Sequence, residues 1–292
     1  MPPLIRINPA LLRRWPLPAL DSELGKVARG KVLVVGGSDE IPGAAVLAAL
    51  AALRAGAGTL AIATTRLVAP HVAVVVPEAR VIGVPATRQG ELAATAARLL
   101  HDDIGRCNAL LVGPGMLEGP AAGPLLATAA RSNPGATVVV DAGALAAVRA
   151  LRTRPDGAVI TPHVGEMAKL CGVDAKGIAA HAREHALETA AELGVVVVLK
   201  GATTYIAAPD GTCYANVAGN LGLGTSGSGD TLSGVIAGLG ARGATPLQAA
   251  VWGVHVHAKA GELLARRVAP LGFLARELLD AVPGLVARFA KR

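Results

Sequence analysis

Short runs of β-branched and aliphatic residues, each followed by small residues and then by a helical pattern, most constrain how this chain can fold. The runs lie at 31–37, 59–64, 79–84, 109–112, 137–140, 158–161 and 195–199, and helical patterns lie near 42–56, 92–100, 123–130, 145–151 and 178–193. Continuous apolar strands that alternate with helices are typical of a largely parallel sheet covered on both faces. The sequence therefore predicts an α/β fold.

The remaining segments complete this organisation. Two short runs at 203–208 and 212–217 are separated by Pro209, Asp210 and Gly211, a pattern that predicts a β-hairpin. The chain from Asp230 onward is predicted to be almost entirely helical. Residues 1–30 contain several prolines, which favours an irregular lead-in arm. Without a linker, charge block or repeat, 1–292 is predicted to be a single domain.

Composition narrows the possible partners. The net charge of +7 would suit nucleic acid, but aromatic residues make up only 2% of the chain and none interleave with a basic block. The three cysteines form no CxxC pair, which favours a reducing cytoplasm and no zinc site. No apolar run approaches the length of a membrane span. We expect a cytoplasmic protein with no nucleic-acid or membrane partner.

The glycine-rich stretch 216–239 is the strongest functional signal. Its glycines precede an apolar helical run, so the backbone N–H groups of Gly227, Ser228 and Gly229 are predicted to form an anion cradle at a helix N-terminus. Asp230 follows the cradle. A carboxylate there is either a helix cap or a base that accepts a proton from a nucleophilic hydroxyl.

Two other phosphate-binding motifs fit the chain poorly. The letters GLGTSG at 222–227 match GxGxxG, but the acidic residue expected about 20 positions later is missing, since Glu262 is the next one after Asp230. The turn at 36–45 lacks the Gly-Lys-Ser/Thr ending of a P-loop. The alternative for the stretch 216–239 is a glycine-rich turn with a capping aspartate that binds no ligand.

Polar residues follow several of the predicted strands. Asp141 comes after three valines and is either a helix N-cap or a site residue. His163 and Glu166 are spaced to share a helical face, where they could serve a substrate amide and a water-bound Mg²⁺; Glu166 could instead be a first-turn residue. Lys200 could contact phosphate or extend into solvent.

One polar pattern favours structure over function. The stretch 252–264 contains His255, His257 and Lys259. His255 and Lys259 share a helical face, but no third ligand is spaced to form a metal site with them. We therefore expect these residues to be packed or on the surface.

Taken in order, these stretches resemble the ADP- or ATP-dependent NAD(P)H-hydrate dehydratases, a branch of the ribokinase-like superfamily. The matching segments are KVLVVGGSDEIPGAAVLAALAALRAGAG, LLVGPGM, VVVDAGAL, ITPHVGEMAKL, VVLKGATTYIAAPDG and GNLGLGTSGSGDTLSGVIAGL. The resemblance implies a ribokinase-like fold. It also implies a lyase that repairs (6S)-NADH or (6S)-NADPH hydrate: a nucleotide phosphorylates the ring hydroxyl, and phosphate then leaves.

The resemblance also implies roles for particular residues. Substrate would be bound by Ala44, Gly115, His163 and Asp230, with Asp230 as the catalytic base. The nucleotide would be bound by Lys200, Gly201, Ala202, Thr203, Thr204 and Gly229. His163 and Glu166 occupy the position of the superfamily's Asn-x-x-Glu motif, which implies indirect Mg²⁺ binding by Glu166. Related enzymes are often tetramers, and this chain is expected to have no room for the epimerase domain that many bacterial members carry.

The chain departs from the family pattern at two places, with Asn-Leu-Gly-Leu at 220–223 and Ser-Gly-Ser-Gly-Asp at 226–230. Both keep the anion cradle. A small-molecule kinase of the hydroxyethylthiazole-kinase type would share the glycine loop and Asp230 but release a phosphorylated product. A non-catalytic nucleotide sensor or nucleic-acid binder would be supported only by the charge.

Overall fold

The computed structural model describes residues 3–19 and 25–290, and within them the chain builds one ten-stranded sheet. The strands are β1 (Leu4–Arg6), β2 (Lys31–Val35), β3 (Thr59–Thr65), β4 (Ala79–Val84), β5 (Ala109–Val112), β6 (Thr137–Val140), β7 (Ala158–Ile160), β8 (Val196–Leu199), β9 (Thr204–Ala207) and β10 (Cys213–Asn216). Their order across the sheet is β1-β10-β9-β8-β7-β6-β5-β2-β3-β4. Only the pairings of β9 with β8 and β10 are antiparallel.

Helices cover both faces of this sheet, as predicted. They are α1 (Pro9–Arg14), α2 (Pro42–Arg54), α3 (Ala69–Val75), α4 (Ala96–Leu99), α5 (His101–Gly105), α6 (Ala122–Ser132), α7 (Leu145–Val148), α8 (Val164–Cys171), α9 (Ala175–Ala180), α10 (Ala182–Leu193), α11 (Ser228–Ala241), α12 (Pro246–Arg267) and α13 (Ala275–Ala290). Alternation along β2 sends Val32 and Val34 to the face covered by α2, α11, α12 and α13. Leu33 and Val35 pack on the other face, beneath the helices from α4 to α10.

Helices α2 and α11 pack closely and run in the same direction. A Cβ atom at Gly234 would lie 2.1 Å from the carbonyl oxygen of Ala48, and one at Gly238 would lie 2.4 Å from that of Ala52. From the first contact to the second, the position moves four residues toward the carboxyl end in each helix, so the two helices are parallel. The N-termini of α2 and α11 therefore lie side by side at the carboxyl edge of the parallel strands, where α/β sheets bind ligands.

The predicted hairpin is present and the C-terminal third is almost entirely helical. Strands β9 and β10 pair antiparallel around a turn in which Gly211 has a φ of +88°, a conformation that favours glycine. Beyond this hairpin, α11, α12 and α13 account for most of the chain.

Three predicted segments are wrong in detail. Residues 1–30 are not irregular throughout, because β1 pairs with β10 and α1 starts at Pro9, with Asn8 accepting a hydrogen bond from Leu11 N–H at 2.9 Å. Parts of the predicted arm, 1–2 and 20–24, lie outside the described residues. The helix predicted at 92–100 is only the short α4, and the one at 178–193 is divided at His181 into α9 and α10.

The contact between α2 and α11 predicts an unusual response to alanine. Replacing a helical glycine by alanine normally stabilises a helix by about 1 kcal/mol. Gly234→Ala should instead destabilise the protein by about 1–3 kcal/mol, because its methyl group would overlap the Ala48 carbonyl. Urea unfolding of the variant measures the difference.

Gly284→Ala is the matched control within α13. A Cβ atom at Gly284 has no neighbour within 4 Å among the described residues, so this change should be neutral or stabilising. Equal effects at the two positions would contradict the tight packing of α2 on α11.

Candidate active site at the carboxyl edge of the sheet

A buried ion pair lies at the centre of the site. Asp141 follows β6 and Lys200 follows β8, and Lys200 Nζ donates to Asp141 Oδ1 at 3.1 Å. The Asp141 side chain is only 3% exposed and that of Lys200 is 20% exposed. Burial opposes the positive charge, but the carboxylates of Asp141 and Glu166 outweigh it and hold the pKa of Lys200 above its usual value. Lys200 is thus a charged residue directed into the site rather than into solvent.

Asp141 is a site residue rather than a conventional helix cap. It precedes the 3₁₀ turn Ala142–Ala144, but its carboxylate forms no capping hydrogen bond there. The next residue, Ala142, has a φ of +47° and is the only non-glycine residue with positive φ in the part of the chain that the structure describes. This conformation is costly for a residue with a Cβ atom and is commonly found at functional sites.

His163 and Glu166 begin α8 as a capping box. His163 Nδ1 accepts hydrogen bonds from the N–H groups of Gly165 and Glu166, and Glu166 Oε2 accepts one from His163 N–H at 2.7 Å. Glu166 is therefore a first-turn residue of α8, and the same oxygen also lies 3.8 Å from Lys200 Nζ, at the border of the site. The backbone N–H of Lys200 donates to the Pro162 carbonyl at 2.9 Å. This hydrogen bond joins the segments that follow β8 and β7.

Asp230 is the third residue of α11, so the expectation that it caps this helix is wrong. Gly227 occupies the N-cap position, with a φ of +85°. Burial raises the pKa of Asp230 to about 7, and the neighbouring Asp141 carboxylate adds to this effect, while Lys200 lowers it. A carboxylate with a pKa near 7 is well suited to accept a proton at neutral pH.

The anion cradle predicted at Gly227, Ser228 and Gly229 lies at the N-cap and the first turn of α11. A Cβ atom at Gly229 would lie 3.3 Å from Lys200 Nζ and 3.9 Å from Asp141 Oδ2, so this backbone borders the ion pair directly. The Ser228 N–H donates to the Thr225 carbonyl at 3.2 Å. The Gly229 N–H belongs to the helical first turn, where backbone N–H groups have no acceptor within the helix, so it is the group best placed to bind an anion.

A cavity of about 630 Å³ opens beside this turn. It lies between the ends of β8 and β10, loop 217–227 and one side of α12. Five of the six residues predicted to bind a nucleotide line it: Lys200, Gly201, Ala202, Thr204 and Gly229. Thr203 is not among the residues that line the cavity.

The residues predicted to bind substrate fall into two groups at the same edge of the sheet. Gly115 has a φ of +69°, and a Cβ atom there would lie 3.0 Å from the Ala44 Cβ atom at the start of α2. His163 lines the cavity together with Lys200, and Asp230 lies on α11, whose N-terminus adjoins that of α2. The structure thus brings the predicted residues to one edge through four different elements.

Sequence reasoning named His255 and His257 but missed their hydrogen-bond partners; His257 also lines the cavity. His257 contacts Ser228, with 3.1 Å between Nε2 and Oγ, and His255 contacts Asn216, with 2.9 Å between Nδ1 and Oδ1. Both histidines are packed, as predicted, yet each has a partner in the glycine-rich stretch. The signal that could have identified them is the density of polar residues in an otherwise apolar helix.

The fold and the site together define the class of protein. A mostly parallel sheet carries a lysine, an aspartate and a glycine-rich helix N-terminus at its carboxyl edge. The same fold is found in a ribokinase-like superfamily protein from Enterococcus faecalis, with a TM-score of 0.82 and 24% identity, over 98% of this chain and 96% of that one. The chain is ribokinase-like in architecture, and a Rossmann unit is excluded because the strand before the glycine-rich loop pairs antiparallel with β9.

Sequence comparison identifies the family. Residues 32–284 match the family described as NAD(P)H-hydrate dehydratase, and the chain belongs to it. An ADP-dependent (S)-NAD(P)H-hydrate dehydratase from Xanthomonas campestris is 46% identical over 286 residues, which cover 98% of this chain and 97% of that protein. The crystal structure of the ADP/ATP-dependent NAD(P)H-hydrate dehydratase from Bacillus subtilis, co-crystallised with ATP/Mg²⁺, has a TM-score of 0.81 and 34% identity, over 98% of this chain and 99% of that one.

The raised pKa of Asp230 predicts how stability depends on pH. An unfolded aspartate titrates near 3.9, so between about pH 4 and pH 7 the folded protein holds a proton that the unfolded chain has lost. Stability contributed by Asp230 should therefore fall as the pH rises through this range. Between about pH 4 and pH 7, the free energy of unfolding of the wild type should fall by on the order of 1–2 kcal/mol relative to that of Asp230→Asn. This figure is reduced to allow for the partial exposure of Asp230.

Chemical denaturation from pH 4 to pH 8 measures this difference. Asp102→Asn, at a side chain that is 79% exposed, controls for the loss of one negative charge. If the difference in free energy of unfolding between the wild type and Asp230→Asn stayed constant across this pH range, the pKa of Asp230 would not be raised.

Proposed function

We propose that this protein dehydrates (6S)-NADH or (6S)-NADPH hydrate, using ADP or ATP to phosphorylate the ring hydroxyl. The observation that carries the proposal is the position of Asp230, with its pKa near 7, in the first turn of α11, where the backbone of Gly229 borders the Lys200–Asp141 ion pair. That arrangement places a base, a cation and backbone N–H groups together. The described residues contain no helix long and apolar enough to cross a membrane, and their single sheet supports a single-domain enzyme.

In the first step Asp230 takes the proton of the ring hydroxyl, and the hydroxyl oxygen attacks the terminal phosphorus of the nucleotide. With ADP as donor, AMP leaves. Lys200 and the Gly229 N–H stabilise negative charge on the transferred group, which is most of what phosphoryl transfer requires from a protein. The side chain of Lys200 is held in place by Asp141, so it needs no reorganisation when the phosphate arrives.

In the second step the carbon–oxygen bond breaks and inorganic phosphate leaves. Phosphate is a much better leaving group than hydroxide. The lone pair of the ring nitrogen drives the expulsion, and loss of a proton from the adjacent ring carbon restores the double bond of NADH or NADPH. Water is thereby removed overall at the expense of one phosphoanhydride bond. The protein need supply no further strong acid.

The donor set around Lys200 fits indirect binding of Mg²⁺. No cluster of three metal-ligating side chains occurs within residues 3–19 and 25–290. Mg²⁺ is usually held by one or two carboxylates together with water and substrate phosphates, and Glu166 borders both Lys200 and the cavity entrance at His163. Glu166 would hold the ion through water, and the ion would neutralise charge on the nucleotide phosphates.

The central test is the recovery of reduced nicotinamide absorbance from NADH hydrate with ADP or ATP and Mg²⁺. We expect one NADH and one inorganic phosphate for each nucleotide consumed. A superfamily kinase would instead accumulate a phosphorylated product without free phosphate. No recovery with either nucleotide, in folded protein, would exclude the dehydratase reaction.

Asp230→Asn should lower the turnover number by about 100-fold or more, because the amide cannot accept the hydroxyl proton. The variant keeps the shape of the side chain and lies in a helix whose N-cap is Gly227, so it should fold. Single-turnover rates at pH 8 measure the loss. A folded variant that retains wild-type turnover would refute the role of Asp230 as the base.

Thr204→Val should weaken nucleotide binding by about 10-fold and leave the KM for hydrate unchanged, because the Thr204 side chain lines the cavity beside Lys200. Thr203→Val is the matched comparison, since the structure places Thr203 outside the lining of the cavity. Calorimetric titration with ADP measures both. If Thr204→Val weakened both ligands equally, the cavity would have to be reassigned.

A further inference from the structure

Helix α12 presents polar side chains to both ends of loop 217–227. This loop connects β10 to α11 and forms one wall of the 630 Å³ cavity. Three residues of α12 contact the loop or the residues that flank it: His255, His257 and Glu262.

The start of the loop is held by His255. Its Nδ1 atom lies 2.9 Å from Oδ1 of Asn216, the last residue of β10, and the Asn216 side-chain amide donates to the Ala218 carbonyl at 3.0 Å. His255 and Asn216 are each 2% exposed. A hydrogen bond between two buried side chains is costly to lose, because each partner would be left desolvated and unpaired.

The end of the loop is held by His257. Its Nε2 atom lies 3.1 Å from the hydroxyl oxygen of Ser228, the first residue of α11. Burial lowers the pKa of His257 to about 4, so the ring is neutral and offers one donor and one acceptor at neutral pH. The contact fixes the first turn of α11, which also carries Gly229 and Asp230, relative to α12.

Glu262 holds Gly219, the third residue of the loop. Its Oε1 atom accepts a hydrogen bond from the Gly219 N–H at 3.1 Å, and Lys259 Nζ holds the same carboxylate at 2.9 and 3.1 Å. Gly219 has a φ of +117°, which only glycine adopts without strain. The acceptor therefore meets the loop at the residue where the backbone turns.

The apolar packing of the loop is limited. Leu223 lies against Gly261 of α12, where a Cβ atom would approach its Cγ to 2.6 Å. Val217 is 62% exposed and Leu221 is 82% exposed. A segment with so few buried apolar side chains depends on its polar contacts for a defined position.

We propose that His255, His257 and Glu262 are positioning residues that set the shape of the nucleotide cavity. His255 and Glu262 hold loop 217–227 near its start, and His257 holds it at its end. The inference rests on the assignment of this cavity to the nucleotide. His255 and Glu262 do not line the cavity. Their effect on a bound nucleotide must therefore act through the loop.

Glu262→Ala tests the proposal directly. We expect the Kd for ADP to rise about 10-fold, because the Gly219 N–H loses its acceptor and the first part of the loop loses its contact with α12. The KM for hydrate should change by less than about 2-fold, since α2, β5 and α8 carry most of that site. Glu262→Gln keeps an acceptor for the Gly219 N–H and should restore most of the ADP affinity.

Gln248→Ala is the matched control on the same helix. Gln248 is buried and donates to the carbonyls of Trp15 and Pro16, at 3.2 and 2.9 Å, far along α12 from the loop. We expect Gln248→Ala to lower the Tm and to leave the Kd for ADP unchanged. Isothermal titration with ADP and thermal melts on the same samples separate the two effects.

Wild-type affinity for ADP in folded Glu262→Ala, or equal loss of affinity in Gln248→Ala, would overturn the proposal. If Glu262→Ala does not fold, His255→Phe decides in its place: weaker ADP binding with an unchanged hydrate KM supports the proposal, and unchanged ADP binding overturns it. Thr204→Val keeps the two assignments distinguishable. If Thr204→Val weakened ADP binding and the α12 variants did not, the assignment of the cavity to the nucleotide would stand and only the role of α12 would be refuted.

Discussion

The ion pair between Lys200 and Asp141 is the interaction on which the site depends. A carboxylate that is 3% exposed is unstable without a partner, and a lysine beside it is the partner that the sheet supplies from the end of β8. The pair is weak evidence for extra stability, because desolvation offsets much of its attraction. Its value is geometric, since it holds a positive charge next to the backbone of Gly229 where a phosphate can meet it.

The same pair sets the chemistry of Asp230. Burial and the Asp141 carboxylate raise the pKa of Asp230, and Lys200 limits the rise, so the carboxyl titrates near neutrality. Two carboxylates in different environments thus occupy one small region: Asp141 is paired with lysine, whereas the pKa of Asp230 is raised to about 7. This difference in environment is what separates a structural acid from a base. The close packing of α11 on α2 fixes the position of Asp230 within this field.

The sequence predicts most of the parallel sheet and the residues at its carboxyl edge, because both depend on local patterns. Buried parallel strands appear as continuous apolar runs, and polar residues stand out where those runs end. The N-terminal strand β1 was not predictable in this way. Its pairing with β10 joins segments about 200 residues apart, and only the tertiary structure brings a three-residue run to a sheet edge. The capping of α1 by Asn8 was readable, but the neighbouring prolines favoured an irregular arm.

The roles of Asp141 and Asp230 needed the structure for a different reason. An aspartate before a helix has the same sequence signature whether it caps the helix or faces a ligand. The two alternatives differ only in the direction of the side chain and the charge around it. For Asp141 the partner is Lys200, 59 residues away; for Asp230 the N-cap position belongs to Gly227.

His255 and His257 of α12 are buried, and burial requires each of them to find a hydrogen-bond partner inside the protein. Residues two apart on a helix point in different directions, so His255 and His257 would not both be expected on one buried face. Helix α12 is buried on nearly all sides between residues 248 and 258, and each of its polar side chains therefore needs a partner inside the protein. Gln248 finds one in the N-terminal arm, whereas His255 and His257 find theirs at the two ends of the glycine-rich loop. A helix that must satisfy its own polar groups in this way also fixes the loop that supplies their partners.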